Sequence, residues 1–325
     1  MADIYAADIG GTHARYACFS HENGQLRLMA VKWASSAPLL QAEDVLSAMY
    51  GELGTGPKPG DALAIALAGP VAGQTGYLTN GRLRLDMRPI AARLGLVRCL
   101  LLNDFAAQAH AMLTEVGTQA CPIRIPASVT PDRATRAVFG AGTGLGAASL
   151  HWWEPTESAE GEPVGQWQAV PSEVGHTPFP FCGEEEQRYA NALAQTLGQE
   201  WASMEDVLCG RGLERLHAFL TGRQEDAATV GREALSRETP TLQWYARFLG
   251  RFCRLWICTT LCTGGLWIAG GIAARNPLCV TCPEFVHELL RGTALQDVLC
   301  SVPVRLVTNT DSGLWGAAQA IARGL

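Results

Sequence analysis

Residues 4–7, 15–19, 62–68 and 100–102 are apolar runs of strand length, and a helical pattern occupies 89–94. This alternation of strand and helix predicts an α/β domain built on a mainly parallel sheet. A segment with the character of a linker follows at 116–135, and residues 137–139 begin a second system of strands. Beyond them apolar positions recur every three or four residues over 185–197, 205–220 and 241–261, which predicts amphipathic helices. The pattern therefore divides the chain into two domains, with the second richer in helix.

Residues 255–274 carry no charge for 20 positions, a length that would span a bilayer. Paired glycines at 264–265 and 270–271, with Thr259, Thr260 and Thr263 interleaved, break that pattern. It predicts instead the buried end of a helix, a turn and a short strand at 266–269. The acidic stretch 154–162 contains Pro155, Ser158 and Gly161 and predicts a solvated hairpin loop.

Composition narrows the chemistry. With 325 residues, 48% of them hydrophobic and 17% charged, the chain has the balance of a packed globular protein. A net charge of -6 with no basic run longer than two residues excludes the clustered positive charge of a nucleic-acid binder. Lys32 and Lys58 are the only lysines, and neither lies in or beside a glycine-rich loop. That removes a lysine-containing phosphate loop, a protein-kinase nucleotide site and a pyridoxal Schiff base. The first residues lack the features of a secretory signal, so a cytoplasmic protein with reduced thiols is expected. Among eleven cysteines the nearest approach to a metal pattern is the lone pair Cys279 and Cys282, which is expected to play an ordinary core or loop role.

Two glycine-rich turns head the two halves of the chain. In the first, Asp8 ends an apolar strand and Gly10, Gly11 and Thr12 follow. A carboxylate there can hold Mg²⁺ through water while the turn's N–H groups face phosphate, although an aspartate in such a place also simply forms turns. Arg15 either neutralises charge nearby or is a surface residue of the next strand. The second turn, Gly142-Thr143-Gly144-Leu145-Gly146, loosely satisfies a dinucleotide fingerprint. That fingerprint should open a helix, whereas residues 147–153 read as a returning strand, which argues against a dehydrogenase. Leu100 to Leu102 form a buried run ending in Asn103-Asp104 before a helix, the place where an open α/β sheet puts catalytic groups. A helix N-cap is the alternative use, and one of the two residues can cap while the other is catalytic. Glu173, His176 and Glu205 add acceptors of the kind that bind sugar hydroxyls, each also having an ordinary structural use.

Taken in order, these motifs resemble the bacterial glucokinase family, within the actin-like superfamily of sugar kinases and heat-shock ATPases. The likeness runs from end to end on Asp8-Ile9-Gly10-Gly11-Thr12-His13-Ala14-Arg15, Leu102-Asn103-Asp104-Phe105, the second glycine turn, Glu173-Val174-Gly175-His176, Glu205-Asp206-Val207-Leu208-Cys209-Gly210 and Ile268-Ala269-Gly270-Gly271-Ile272. The resemblance implies a two-domain actin-like (ribonuclease-H-like) fold with the active site in the interdomain cleft. A small α/β domain of residues 1–114 would be completed by 306–325, and residues 115–305 would form a large α+β domain.

It further implies an ATP-dependent kinase that phosphorylates glucose at the 6-hydroxyl, with Asp104 as general base and Mg²⁺ as cofactor. Asp8, Gly10, Gly11 and Thr12 would form one phosphate loop and Gly142, Thr143 and Gly144 the other, with Gly270 and Gly271 bordering the adenosine. Asn80, Asn103, Asp104, Glu173, His176 and Glu205 would line the sugar site, and a homodimer is the family-level expectation. His13 stands where the family usually has Asn, and the residues after Asn80 lack its usual Trp; both departures bear on the sugar more than on the reaction. The zinc-binding cysteine cluster of the related ROK sugar kinases is missing, so no zinc is expected. Neither a nucleic acid nor a membrane is an expected partner. Two other functions use the same residues: a kinase for another hexose or aminosugar, and a sugar-sensing regulator without turnover.

Overall fold

The computed structural model describes residues 2–127, 130–154, 165–292 and 294–322. The chain forms two compact units, one of Met1–Gln119 with Asn309–Leu325 and the other of Ala120–Thr308, with boundaries a little later in the chain than those the family resemblance implies.

In the first unit, β1 (Ile4–Ile9) lies antiparallel to β2 (His13–Glu22), which continues antiparallel into β3 (Gln25–Ser35). On its other side β1 runs parallel to β4 (Ala62–Leu67), and β4 parallel to a strand at Arg98–Asn103, giving a five-stranded mixed sheet. The strands β1 and β4 are buried throughout, which is why their sequences are unbroken apolar runs rather than alternating ones. The strand β3 shows only a half-buried alternation, as befits a sheet edge, and the apolar-run criterion passes over it. Side chains of Tyr5, Ala7 and Ile9 enter one core with Met49 and Ile90. The opposite face is covered by the C-terminal helix Ser312–Ala322, which packs on β1, β4 and the helix Asp104–Ala111. A Cβ at Gly316 would lie 1.7 Å from the Ala107 carbonyl oxygen, so the two helices meet at backbone contact.

The second unit has its own mixed sheet of six strands. Its centre is the parallel pair Arg136–Ala141 and Gly265–Ala269, and Arg136–Ala141 also forms an antiparallel hairpin with Leu145–Trp153. The returning strand after the glycine turn is thus the expected one, and no helix opens there. Two expectations are corrected. The linker at 116–135 contains the strand Cys121–Arg124, which pairs with Val304–Leu306 and whose Arg124 guanidinium donates to the carbonyls of Leu299, Cys300 and Val302. The helix expected over 205–220 is two helices, Met204–Leu208 and Gly210–Thr221, because Cys209 is extended and the Gly210 N–H is drawn to the Gly142 carbonyl at 3.0 Å.

The long helix Pro240–Thr260 begins at an N-cap Thr239 with Pro at its first position and ends at Leu261 in the left-handed region. The strand Gly265–Ala269 follows a turn, as the glycine pairs predict, and among the described residues no helix is long and apolar enough to cross a membrane. Inside this unit Arg251 of the long helix is buried between Glu186 and Glu288. The loop expected at 154–162 lies, apart from residue 154, outside the described residues.

Candidate active site

In the first unit the parallel strands β1, β4 and Arg98–Asn103 bring their carboxyl ends to one sheet edge. Asp8 is in register with Ala66 and, through it, Leu102; Ile9 is in register with Leu67 and, through it, Asn103. At about 4.8 Å per strand, Asp8 and Asn103 stand roughly 10 Å apart along that edge. Gly10 donates to the His13 carbonyl at 2.9 Å, closing a tight turn that presents Gly11 and Thr12.

Asn80 is held beside this turn by a short chain of backbone bonds. Gly69 follows β4, its carbonyl receives the Asn103 side-chain N–H at 3.2 Å, and the Ala68 carbonyl receives the Thr79 N–H at 3.2 Å. A Cβ on Gly11 would sit 3.6 Å from the Asn80 carbonyl oxygen. The sequence reading passes over Gly69, although a Gly-Pro pair directly after a buried strand is a signal for such a turn.

Of the two residues at this strand end, Asn103 makes the helix cap. Asn103 is the N-cap of the helix Asp104–Ala111, its Oδ1 accepting from the N–H groups of Phe105 at 2.9 Å and Ala106 at 3.2 Å. Asp104, half-buried, is the first residue of that helix and accepts from the Phe105 N–H at 3.0 Å. The cap is made by Asn103, so Asp104 is not committed to that role.

Asp8 is 8% exposed and accepts a 2.8 Å hydrogen bond from Arg15. Burial raises its pKa, the Arg15 charge and hydrogen bond pull it down, and Asp311 adds a further upward push, with a raised value as the net result. Arg15 is therefore the partner of Asp8 rather than a surface residue. Asp311, just before the C-terminal helix, has a buried Oδ1 with no hydrogen-bond partner among the described residues. Asp8 with Asp311 nearby is a donor set suited to Mg²⁺, which binds through one or two carboxylates, waters and substrate phosphates. Among the described residues no three His, Cys, Asp or Glu side chains cluster to hold an ion on their own.

The second unit places its own residues at the carboxyl ends of the parallel pair Arg136–Ala141 and Gly265–Ala269. Gly142 donates to the Gly144 carbonyl at 3.0 Å, forming the turn that exposes Thr143. Glu205 accepts from the Leu145 N–H at 2.9 Å and so braces this turn from below. The single helical turn Val174–His176 packs against the same place, since a Cβ on Gly175 would lie 2.4 Å from the Leu145 carbonyl oxygen. Glu173 and His176 are exposed, 3.6 Å apart between Oε2 and Nε2. Gly270 adopts φ 91° and would bring a Cβ within 2.4 Å of the Ala141 carbonyl oxygen, so only glycine allows the two strand ends to come this close; Gly271 starts the next helix. Each unit thus gathers its own share of the expected site: Asp8, Gly10, Gly11, Thr12, Asn80, Asn103 and Asp104 in one, Gly142, Thr143, Gly144, Glu173, His176, Glu205, Gly270 and Gly271 in the other.

A family model described as glucokinase matches residues 5–324. A glucokinase of Pseudomonas paraeruginosa is 31% identical over 98% of this chain and 92% of its own length. A glucokinase crystal structure from an Antarctic psychrotroph superposes with TM-score 0.81 at 25% identity, covering 99% of both chains. The ROK family glucokinase of Streptomyces griseus, solved with glucose and AMPPNP, shares the fold at TM-score 0.64 and 18% identity, covering 99% of this chain and all of that one.

Proposed function

The chain belongs to the glucokinase family, which makes it a hexose kinase acting on glucose with ATP, and we propose that it transfers the γ-phosphate to the 6-hydroxyl with Asp104 as the general base. The observation that carries this assignment is the division of labour at the end of Arg98–Asn103: Asn103 caps the helix, and Asp104 stands at the carboxyl end of a parallel strand, where ligands bind in such sheets. Phosphoryl transfer asks for alignment and charge neutralisation more than for covalent chemistry. The Gly10–Thr12 and Gly142–Gly144 turns supply N–H groups and a threonine hydroxyl each toward phosphate, and Gly270 and Gly271 border the adenosine. Asp8, with Asp311 in support, would hold Mg²⁺ through water, and the ion would supply neutralisation of phosphate charge. Asn80, Glu173, His176 and the remaining capacity of Asn103 and Glu205 accept and orient the sugar hydroxyls. The expected cleft between the units belongs to this proposal, because one reaction needs the groups of both. A cytoplasmic homodimer completes it.

The position of transfer is tested with 6-deoxyglucose. It should compete with glucose at similar concentration while releasing no ADP, measured in a coupled assay. ADP release from 6-deoxyglucose at a rate near that from glucose would place the reacting hydroxyl elsewhere.

A further inference from the structure

We propose that Trp33 and Arg15 are positioning residues that hold the Asp8 carboxylate in the orientation needed by a divalent cation bound to the nucleotide phosphates. The proposal rests on the assignment of Asp8 to the first phosphate loop. It starts from register: Asp8 on β1 is directly opposite Arg15 on β2, and Arg15 is directly opposite Trp33 on β3. Residues directly opposite across antiparallel strands project from the same face, so the three side chains form one row across the sheet. Within that row Arg15 donates from Nη1 to Asp8 Oδ2 at 2.8 Å, and its guanidinium carbon lies 4.1 Å from the centroid of the Trp33 ring.

The row accounts for two features that packing alone leaves without cause. Trp33 is 46% exposed on an edge strand, where burial of so large a ring gains little, yet its face covers a cation. Arg15 makes a single bond to Asp8, and its Nε is buried without a partner among the described residues, so hydrogen bonding leaves its plane free to rotate about that one contact. A flat indole against a flat guanidinium removes that rotation and so fixes the carboxylate plane as well. Lysine lacks the planar fork and would restore charge without orientation.

The row is also tied to the phosphate turn and to the C-terminal helix. The His13 ring, at the end of the turn closed by Gly10, meets the Trp33 ring edge-on at 6.4 Å. On the other side a Cβ on Gly313 would lie 2.5 Å from Asp8 Oδ2, so the helix start limits where the carboxylate can go. The charged and titratable groups facing Asp8 are then Arg15 from β2 and Asp311 from the segment before the C-terminal helix.

The test uses the full-length protein with Mn²⁺ as the probe cation and AMPPNP as the nucleotide, free Mn²⁺ being read by electron paramagnetic resonance beside steady-state kinetics. Arg15→Gln should lower kcat about 10²-fold, the scale of a misplaced reacting geometry, and weaken Mn²⁺ binding about tenfold while the glucose KM stays within about twofold. Arg15→Lys should recover only part of both losses. Trp33→Leu should move the same two readouts about three- to fivefold, with Trp33→Phe restoring most of it, as a ring face is what the site uses. In the Arg15→Gln background Trp33→Leu should add nothing, since the two act through one contact. Thermal melting of each variant establishes that it is folded. Trp33→Leu without effect on Mn²⁺ binding, or with an effect that multiplies that of Arg15→Gln, overturns the proposal. Asp8→Asn separates the two levels: if it leaves Mn²⁺ binding unchanged the phosphate-loop assignment fails, and if it abolishes binding while the Arg15 and Trp33 variants do not, the positioning row alone fails.

Discussion

Asp104→Asn should lower kcat by about 10²–10⁴-fold, the usual contribution of a positioned general base, while glucose affinity stays within a few-fold of the wild type. The amide keeps the size and hydrogen-bonding reach of the carboxylate but cannot take the proton of the attacking hydroxyl. Asn103 remains the N-cap in the variant, because the bonds to the Phe105 and Ala106 N–H groups come from its own Oδ1. The helix Asp104–Ala111 should therefore stay formed, and loss of turnover would not be loss of structure. Asn103→Ala makes the complementary comparison: it removes the cap and the bond to the Gly69 carbonyl, and should cost about 1 kcal/mol of stability before any effect on chemistry. Steady-state kinetics with glucose titration by calorimetry checks the first and urea denaturation the second, and near-normal kcat in Asp104→Asn would remove it as base.

The second large effect concerns stability. Arg251 is 2% exposed and lies between Glu186 and Glu288, each also 2% exposed, with Arg251 Nε 2.9 Å from Glu288 Oε1 and Nη2 3.0 Å from Glu186 Oε1. It ties the helix Gly183–Leu197 to Pro240–Thr260 and Pro283–Leu289. Arg251→Met fills much of the volume but strands two buried carboxylates, and removing one partner of a buried ion pair typically costs about 3–5 kcal/mol. Arg247 and Arg254 also reach these carboxylates, which places the expected loss near the lower end, about 3 kcal/mol.

The pH dependence has a definite sign. Burial pushes the Glu288 carboxyl up, and the hydrogen bonds and charges of Arg251 and Arg254 outweigh it, so its pKa lies below the ordinary value. A depressed carboxylate contributes stability that is present above its unfolded pKa and lost as pH falls through the folded one. In Arg251→Met the upward push of burial is less opposed, so the stability gap between wild type and variant should narrow on acidification. Urea denaturation at neutral pH and near pH 4 measures both the gap and its trend; a variant as stable as the wild type at neutral pH would contradict the account.

The part of the candidate site that lies at strand ends was legible because sequence pattern is strongest there, whereas Asn80, Glu173, His176 and Glu205 enter it through the family resemblance. The apolar runs before Asp8 and Asn103 announce buried parallel strands, and a polar residue at the carboxyl end of such a strand stands where an open sheet binds its ligands. Glycines at 142, 144, 270 and 271 mark turns for the same reason. What the pattern hid was set by tertiary contact. The strand Cys121–Arg124 is short and partly exposed, and its pairing with Val304–Leu306 is visible only once residues 180 positions away are adjacent. The break between Met204–Leu208 and Gly210–Thr221 follows from the bond to Gly142, not from local propensity. The sequence leaves Arg15 between neutralising nearby charge and lying on the surface, and the register decides it by putting Arg15 opposite both Asp8 and Trp33. The return of the C-terminal helix to the first unit was expected, but that it carries the Asp311 carboxylate toward Asp8 was not read from the sequence.

The central claim is tested most directly by ADP release with Mg·ATP across glucose, mannose, fructose, galactose, glucosamine and N-acetylmannosamine, with Asp104→Asn as control. The account predicts turnover on glucose well above the other sugars, lost in the variant. No ADP release on any of the six would contradict it and favour a sugar-binding regulator, and turnover confined to another sugar would contradict the substrate while leaving the role of Asp104 in place.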